Sequence, residues 1–204
     1  RVDKECLFQD IENGIAAFNV PKQNNVIDPL YTTIFAANFW FSGLDNFVQL
    51  QGYAETFANG VQNAGPIMDL HFYENYSYKW DRVWKVSAAD IQNHIAGNGT
   101  SEAILSWPAH GDVLMGQAFD LAPYYDYNGD GYYDPTQGDY PLIKGQQAIY
   151  FIRTSDRSQA SISNIGTQGL EFHGMVYAYN CPEDSAINNT IFIDYTIYNR
   201  STTD

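Results

Sequence analysis

Positive charge is scarce in this sequence. Its 204 residues include 10 Lys and Arg against 24 Asp and Glu, a formal net charge of −14. Such a surface repels a polyphosphate backbone and offers few cations to displace its counterions, so nucleic acid is excluded as a partner. Cysteine is nearly absent. Cys6 and Cys181 lie far apart and form no CxxC spacing, which removes structural zinc and thioredoxin-like redox chemistry. Two readings of the pair stay open, one long-range disulfide or two free thiols; the disulfide would contribute roughly 4–5 kcal/mol in the chain-entropy account. Long apolar runs are missing too: no stretch approaches the roughly 20 residues that cross a bilayer as a helix, so membrane insertion is not expected. Catalytic signatures are also lacking. There is no Gly-x-Ser-x-Gly elbow and no H-E-x-x-H pair, and His71, His94, His110 and His173 are scattered. No catalytic residue is assigned, and the chain reads as a non-enzyme.

What the chain has is aromatic and β-branched material. Apolar residues make up 45%, with 16 Tyr, 12 Phe and 4 Trp, ample for the core of one domain over 1–204. Residues 31–57 place two such runs on either side of SGLDN, a hairpin signal. Segments 148–154, 170–180 and 190–201 read as strands. In the last, Ile191, Ile193, Tyr195 and Ile197 share one face while Phe192, Asp194 and Thr196 share the other, the period-two pattern of a half-buried strand. One helix is expected near residue 90, where Ser87 and Asp90 form a capping pattern and Ile91 and Ile95 recur at helical spacing. The expectation is a mainly β fold: an antiparallel β-sandwich-like domain with one short helix and long ordered loops. Residues 108–141, dense in Gly, Asp, Pro and Tyr, form a long excursion from the sheet. Ordering each residue of it costs on the order of 1–2 kcal/mol in backbone entropy, so it needs internal fastening.

Within that excursion lies DYNGDGYYDPTQGD, residues 126–139. Asp126, Asn128 and Asp130 occupy alternate positions and Gly131 follows where the chain must turn sharply, the opening half of a calcium loop. The Tyr132 carbonyl falls at the seventh position and Asp134 at the ninth; Asp139 offers a further carboxylate. The twelfth position is Gln137 rather than a bidentate Glu, and Pro135 opposes an exiting helix, so an EF-hand is rejected in favour of a shorter extracellular-type calcium loop. The bland alternative, that Asn128-Gly129 and Asp130-Gly131 are turn dipeptides, explains the glycines. It leaves four mutually repelling carboxylates in fourteen residues, which calcium would neutralise. Magnesium, which keeps its own waters in an octahedral shell, suits a wrapped loop less well.

Two further constellations bear on function. Glu171 and His173 share one face of a strand and could form an acid/base pair, although a satisfied structural histidine is the commoner outcome. Trp40, Trp80, Trp84 and the cluster Tyr124, Tyr125, Tyr127, Tyr132 and Tyr133 could stack on sugar rings, which makes a carbohydrate-binding module, with glycans as partners, the alternative function. Most of these rings would be expected in the core.

Several segments in fixed order resemble a recurring region of large secreted surface proteins of Bacteroidota. These are IFAANFWFSGLD (34–45), VWKVSAADI (83–91), ILSWPAHG (104–111), the stretch from the aspartate loop through GDYPLIKGQQAIYFI (126–152), and GLEFHGMVYAYNCPEDSAINNTIFIDYTIYNRS (169–201). The chain departs from that pattern at Asn38-Phe39-Trp40, where related proteins often carry a Trp-Ile-Gly-Gly type sequence. The resemblance implies export by the type IX secretion machinery, which type A sorting domain proteins engage, and display outside the cell or at its surface. It implies a larger parent protein, so that partners are other domains of that protein or neighbouring copies. It also makes Ser185, within Asp184-Ser185-Ala186, a candidate O-glycosylation site of the D-[ST]-A type. Together these expectations describe a calcium-stabilised extracellular structural or adhesive module, able to contribute to a surface fibre.

Overall fold

The computed structural model describes residues 64–155 and 169–201, together with short segments at 9–10, 15–16, 18–19, 32–34, 37, 41–44 and 50–53. In chain order the strands are β1 (Gln9–Asp10), β2 (Ile15–Ala16), β3 (Phe18–Asn19), β4 (Thr32–Ile34), β5 (Phe41–Leu44), β6 (Leu50–Tyr53), β7 (Trp84–Ser87), β8 (Tyr124–Tyr125), β9 (Tyr140–Pro141), β10 (Gln147–Thr154), β11 (Leu170–Ala178) and β12 (Phe192–Asn199). The helices are α1 (Leu70–Tyr76), α2 (Ala88–Ile95), α3 (Glu102–Leu105) and α4 (Ser185–Asn188). The fold is mainly β and antiparallel. A four-stranded sheet runs in the order β12-β11-β10-β7, and four two-stranded ladders accompany it.

The three long strands of that sheet coincide with the three β-branched and aromatic segments of the sequence. Their registers set which side chains share a face: Tyr150 lies opposite Met175, and Met175 opposite Asp194. Along β12 the alternation read from the sequence holds. Ile191, Ile193 and Tyr195 pack with Phe151 and Val176, joined by Phe18, Ile34 and Ala37. The opposite face carries Trp84, Val86, Ala148, Tyr150, Ile152 and Met175, covered by Ile104, Trp107, Ala109, Leu121 and Ala122. The excursion after Pro108 thus supplies part of the main core, which fastens it to the sheet by apolar burial, at about 25 cal/mol for each Å² removed from water.

Helix α2 forms where it was expected. Ser87 Oγ accepts from the Asp90 amide at 3.1 Å while Asp90 Oδ2 accepts from the Ser87 amide at 2.9 Å, a complete capping box. Ile91 packs on the core, whereas Ile95 is exposed. The described residues hold three further short α-helices, besides three 3-10 turns. Of these α3 and α4 are single turns of four residues, too brief to leave a periodic apolar signature. The early hairpin is present but displaced: Phe41 pairs with Tyr53 and Leu44 with Leu50, so Ser42, Gly43 and Leu44 of the expected connection lie within a strand.

One glycine is dictated by packing rather than by a turn. Gly174 on β11 lies opposite Phe151, whose ring crosses it so closely that an added Cβ would fall inside the ring's van der Waals envelope. Gly174→Ala is expected to destabilise by about 1–3 kcal/mol through overpacking. The test is the denaturant midpoint; an unchanged midpoint would mean that the ring moves aside freely.

Candidate functional site

The aspartate loop connects β8 to β9, a ladder of two residue pairs in which Tyr124 faces Pro141 and Tyr125 faces Tyr140. The rings of Tyr125 and Tyr140 stack at 4.8 Å and 19°, and the Leu142 amide donates to the Pro123 carbonyl at 3.1 Å. This neck sets the loop's two ends side by side. Further ties hold it to the body: the Tyr133 hydroxyl donates to the Ile104 carbonyl at 2.7 Å, the Tyr133 amide to His110 Nε2 at 3.0 Å, and His94 Nε2 to the Asp139 carbonyl at 3.0 Å.

Inside the loop the short polar side chains turn back onto the backbone. Asp126 accepts from the amides of Gly129 at 2.7 Å and Gly131 at 2.8 Å, both glycines having positive φ. Asn128 Oδ1 accepts from the Asp130 amide at 3.0 Å, Asp130 Oδ1 from the Tyr132 amide at 2.8 Å, and Asp134 Oδ1 from the Thr136 amide at 2.9 Å. The Gly131 amide bond, opposed by burial and joined by the neighbouring amides, holds the Asp126 carboxyl below its usual range. Hydrogen bonds from Gln137 and Thr136 do the same for Asp134. The side chains are also joined to one another: Asn128 Nδ2 donates to Asp130 Oδ2 and to Gln137 Oε1, each at 2.9 Å, and Gln137 Nε2 donates to Asp134 Oδ2 at 2.9 Å.

Of the six residues singled out as calcium ligands, Asn128, Asp130 and Asp134 are joined through Gln137 into one side-chain network, Tyr132 continues it through its amide, and Asp126 caps the Gly129 and Gly131 amides beside it. Asp139 has a different place. It is fully buried, and its carboxylate oxygens accept from the amides of Tyr127 and Asp134, each at 2.8 Å, so it clamps the entry of the loop to its middle. Among the described residues no three or more His, Cys, Asp or Glu side chains are arranged to hold a metal ion. The donor set is nonetheless one of hard oxygens, and an ionised carboxylate has about four lone-pair sites, more than the amides here occupy.

The Glu171–His173 pair is real and buried. His173 Nε2 lies 2.8 Å from Glu171 Oε1, and Nδ1 lies 2.7 Å from the Tyr150 hydroxyl. A carboxylate only accepts, so Nε2 carries the hydrogen and Nδ1 faces the phenol. Arg200 Nη2 reaches the same Glu171 oxygen at 3.0 Å, and the Ile67 amide donates to Oε2 at 2.8 Å. Burial pushes the Tyr150 phenol well above its ordinary range, which keeps it a donor. Both histidine nitrogens are thus engaged, the arrangement of a satisfied structural histidine. Sequence reasoning missed Arg200, 29 residues from Glu171, because nothing local connects them.

The remaining candidates are dispersed. Trp84 is a core residue, only 4% exposed, with Nε1 donating to the Ser106 carbonyl at 2.7 Å, and is no stacking platform. Trp80 packs beside it at 6.0 Å, and Tyr133 is tied inward through its hydroxyl. Tyr125, Tyr127 and Tyr132 are exposed. Trp40 and Cys6 lie outside the described residues. Cys181 carries a free thiol whose Sγ donates to Glu183 Oε1 at 3.1 Å; that carboxylate, with burial, pushes the thiol up. Ser185 is exposed on the first turn of α4, where Asp184 caps the amides of Ala186 at 2.9 Å and Ile187 at 3.2 Å. The described residues contain no helix long and apolar enough to cross a membrane. Comparison with known proteins yields no matching family model, no matching curated protein and no matching solved structure.

Proposed function

We propose that this chain is a non-enzymatic extracellular module of a bacterial surface protein, structural or adhesive in role, whose aspartate loop is braced by calcium. The observation that carries this reading is that Asn128, Asp130, Gln137 and Asp134 are linked side chain to side chain, with Asp126 capping the Gly129 and Gly131 amides beside them, in one loop whose ends are pinned by the β8–β9 neck and by Asp139. Asp126, Asn128 and Asp130 would hold the cation with Asp134 and the Tyr132 carbonyl. The cation's charge would offset the mutual repulsion of the carboxylates. Binding requires the Asn128 and Gln137 amides to turn oxygen inward, exchanging their links to Asp130 and Asp134 for a shared ion. The loop so stiffened presents Tyr127 and Tyr132 as a fixed contact surface for another domain of the parent protein or a neighbouring copy. Location outside the cell, and export by the type IX route, follow from the ordered resemblance of the sequence segments.

The test is limited proteolysis of the loop with calcium and with excess chelator. Protection by calcium is expected in the natural chain and its loss in the Asp126→Ala, Asp130→Ala double variant. Equal cleavage of both proteins under both conditions would refute the role of calcium.

A further inference from the structure

The sheet face that carries the core is covered only in part. Over β7 and β10 it lies beneath Trp107 and Ala109; toward β12 it opens into a cleft of about 440 Å³, within the range of small-molecule sites. Its base is apolar, formed by Met175 with Leu121 and Ala122. Tyr124 and Tyr198 line it, and the Tyr198 ring is fixed from two sides, by His173 at 4.7 Å and by the Arg200 guanidinium at 4.5 Å. The polar groups come from different elements: Asp194 and Thr196 from the face of β12 that Met175 shares, Lys144 from the turn before β10, and Asp120 from the excursion.

Those polar groups restrict the ligand. Lys144 is ion-paired with Asp194 and both side chains stay solvent-accessible, so each keeps unused hydrogen-bonding capacity toward the cleft. Arg200 is committed to Glu171. The charges lining the cleft are then two carboxylates against one ammonium, which disfavours an anion. Donors on Lys144 stand beside acceptors on Asp194, with the Thr196 hydroxyl able to serve as either. A ligand hydroxyl, itself donor and acceptor, answers such a set. The apolar base and the tyrosine edges ask in turn for a ligand with one apolar face.

We propose that this cleft binds a neutral hexose unit of a glycan, its C–H face on Met175 and the tyrosines and its hydroxyls on Asp194, Lys144 and Thr196. Asp194, Thr196 and Tyr198 lie on one strand, β12, whose spacing is set by continuous pairing with β11. This site lies apart from the exposed tyrosines of the aspartate loop and does not depend on calcium.

The experiment is saturation-transfer NMR on the full chain with methyl glycosides of glucose, galactose and mannose, each in calcium and in chelator. At least one glycoside is expected to receive saturation under both conditions. Asp194→Asn and Thr196→Val, both at accessible positions and expected to leave the melting temperature unchanged, should each weaken its binding about tenfold, the loss of one hydrogen bond to a charged or hydroxyl group. Tyr127→Ala should leave it unchanged. The proposal is overturned if no neutral glycoside binds, if both cleft variants bind as the natural chain does, or if Tyr127→Ala alone abolishes binding. Preferential binding of inorganic phosphate would also overturn it.

Discussion

Glu171→Ala is expected to lower the unfolding free energy by about 3–5 kcal/mol, the cost of removing one partner from a buried ion-paired network. Glu171 has no exposed surface and its two oxygens accept from four donor atoms: His173 Nε2, Arg200 Nη2 and Nε, and the Ile67 amide. Without it the Ile67 amide and His173 Nε2 lose their acceptors in the interior. Arg200, 27% exposed at its side chain, can turn outward and escape part of the penalty. Against a typical total of about 5–15 kcal/mol, such a loss can leave the alanine variant unfolded. Glu171→Gln, which keeps the volume and one carbonyl, is therefore the informative companion and should lose less. Chemical denaturation of the two variants checks the pair, and a loss below about 1 kcal/mol for alanine would show that the network contributes little.

The same residue makes stability depend on pH. Burial raises the Glu171 carboxyl, but the hydrogen bond from His173, the Ile67 amide and the Arg200 guanidinium outweigh it, leaving the group below its ordinary 4.5. A group depressed in the folded state contributes stability that is complete above the unfolded value and is lost as pH falls through the folded one. Stability should thus decline below about pH 4.5, and the part of that decline due to Glu171 should vanish in Glu171→Gln. Denaturant midpoints measured from neutral pH downward separate the two proteins.

The second large effect is thermal. If the aspartate loop binds calcium only when folded, calcium at a hundredfold excess over its dissociation constant stabilises by about 2.7 kcal/mol. For a domain of this size that is a rise of about 5–10 °C in melting temperature relative to chelator. Magnesium should give a much smaller rise, and the Asp126→Ala, Asp130→Ala variant none with either ion. A melt identical in calcium and chelator would return 126–139 to a chain of side-chain-capped turns. In that case the Asp139 clamp and the Tyr125–Tyr140 neck hold the loop unaided.

The signals carried along the chain itself are local. Segments 148–154, 170–180 and 190–201 announced β10, β11 and β12 because β-branched and aromatic residues suit a pleated, half-buried surface. Ser87 and Asp90 announced α2 because a capping box closes within four residues. The alternation of aspartate and asparagine in DYNGDGYYD pointed to a cation loop and left self-capped turns as the alternative; that these side chains serve backbone amides two to five residues away is seen only in the structure. Contacts between distant segments were decided by strand register and by how the excursion folds back. The sequence marks Asp194 and Thr196 as sharing a face of β12; that Lys144 and the 120–124 segment meet that face, leaving a cleft, depends on three strands being paired in one register. Trp84, expected with most of the candidate rings in the core, is placed there by the pairing of β7 with β10 and by the excursion that covers it. Asp139 reads as one more ligand until its burial makes it a clamp. By itself the sequence determined the long strands and the helix cap, since these depend on neighbours along the chain. The buried Tyr150–His173–Glu171–Arg200 network and the cleft beside it arise only in the tertiary structure, because burial and the meeting of remote side chains exist only once the sheet has formed.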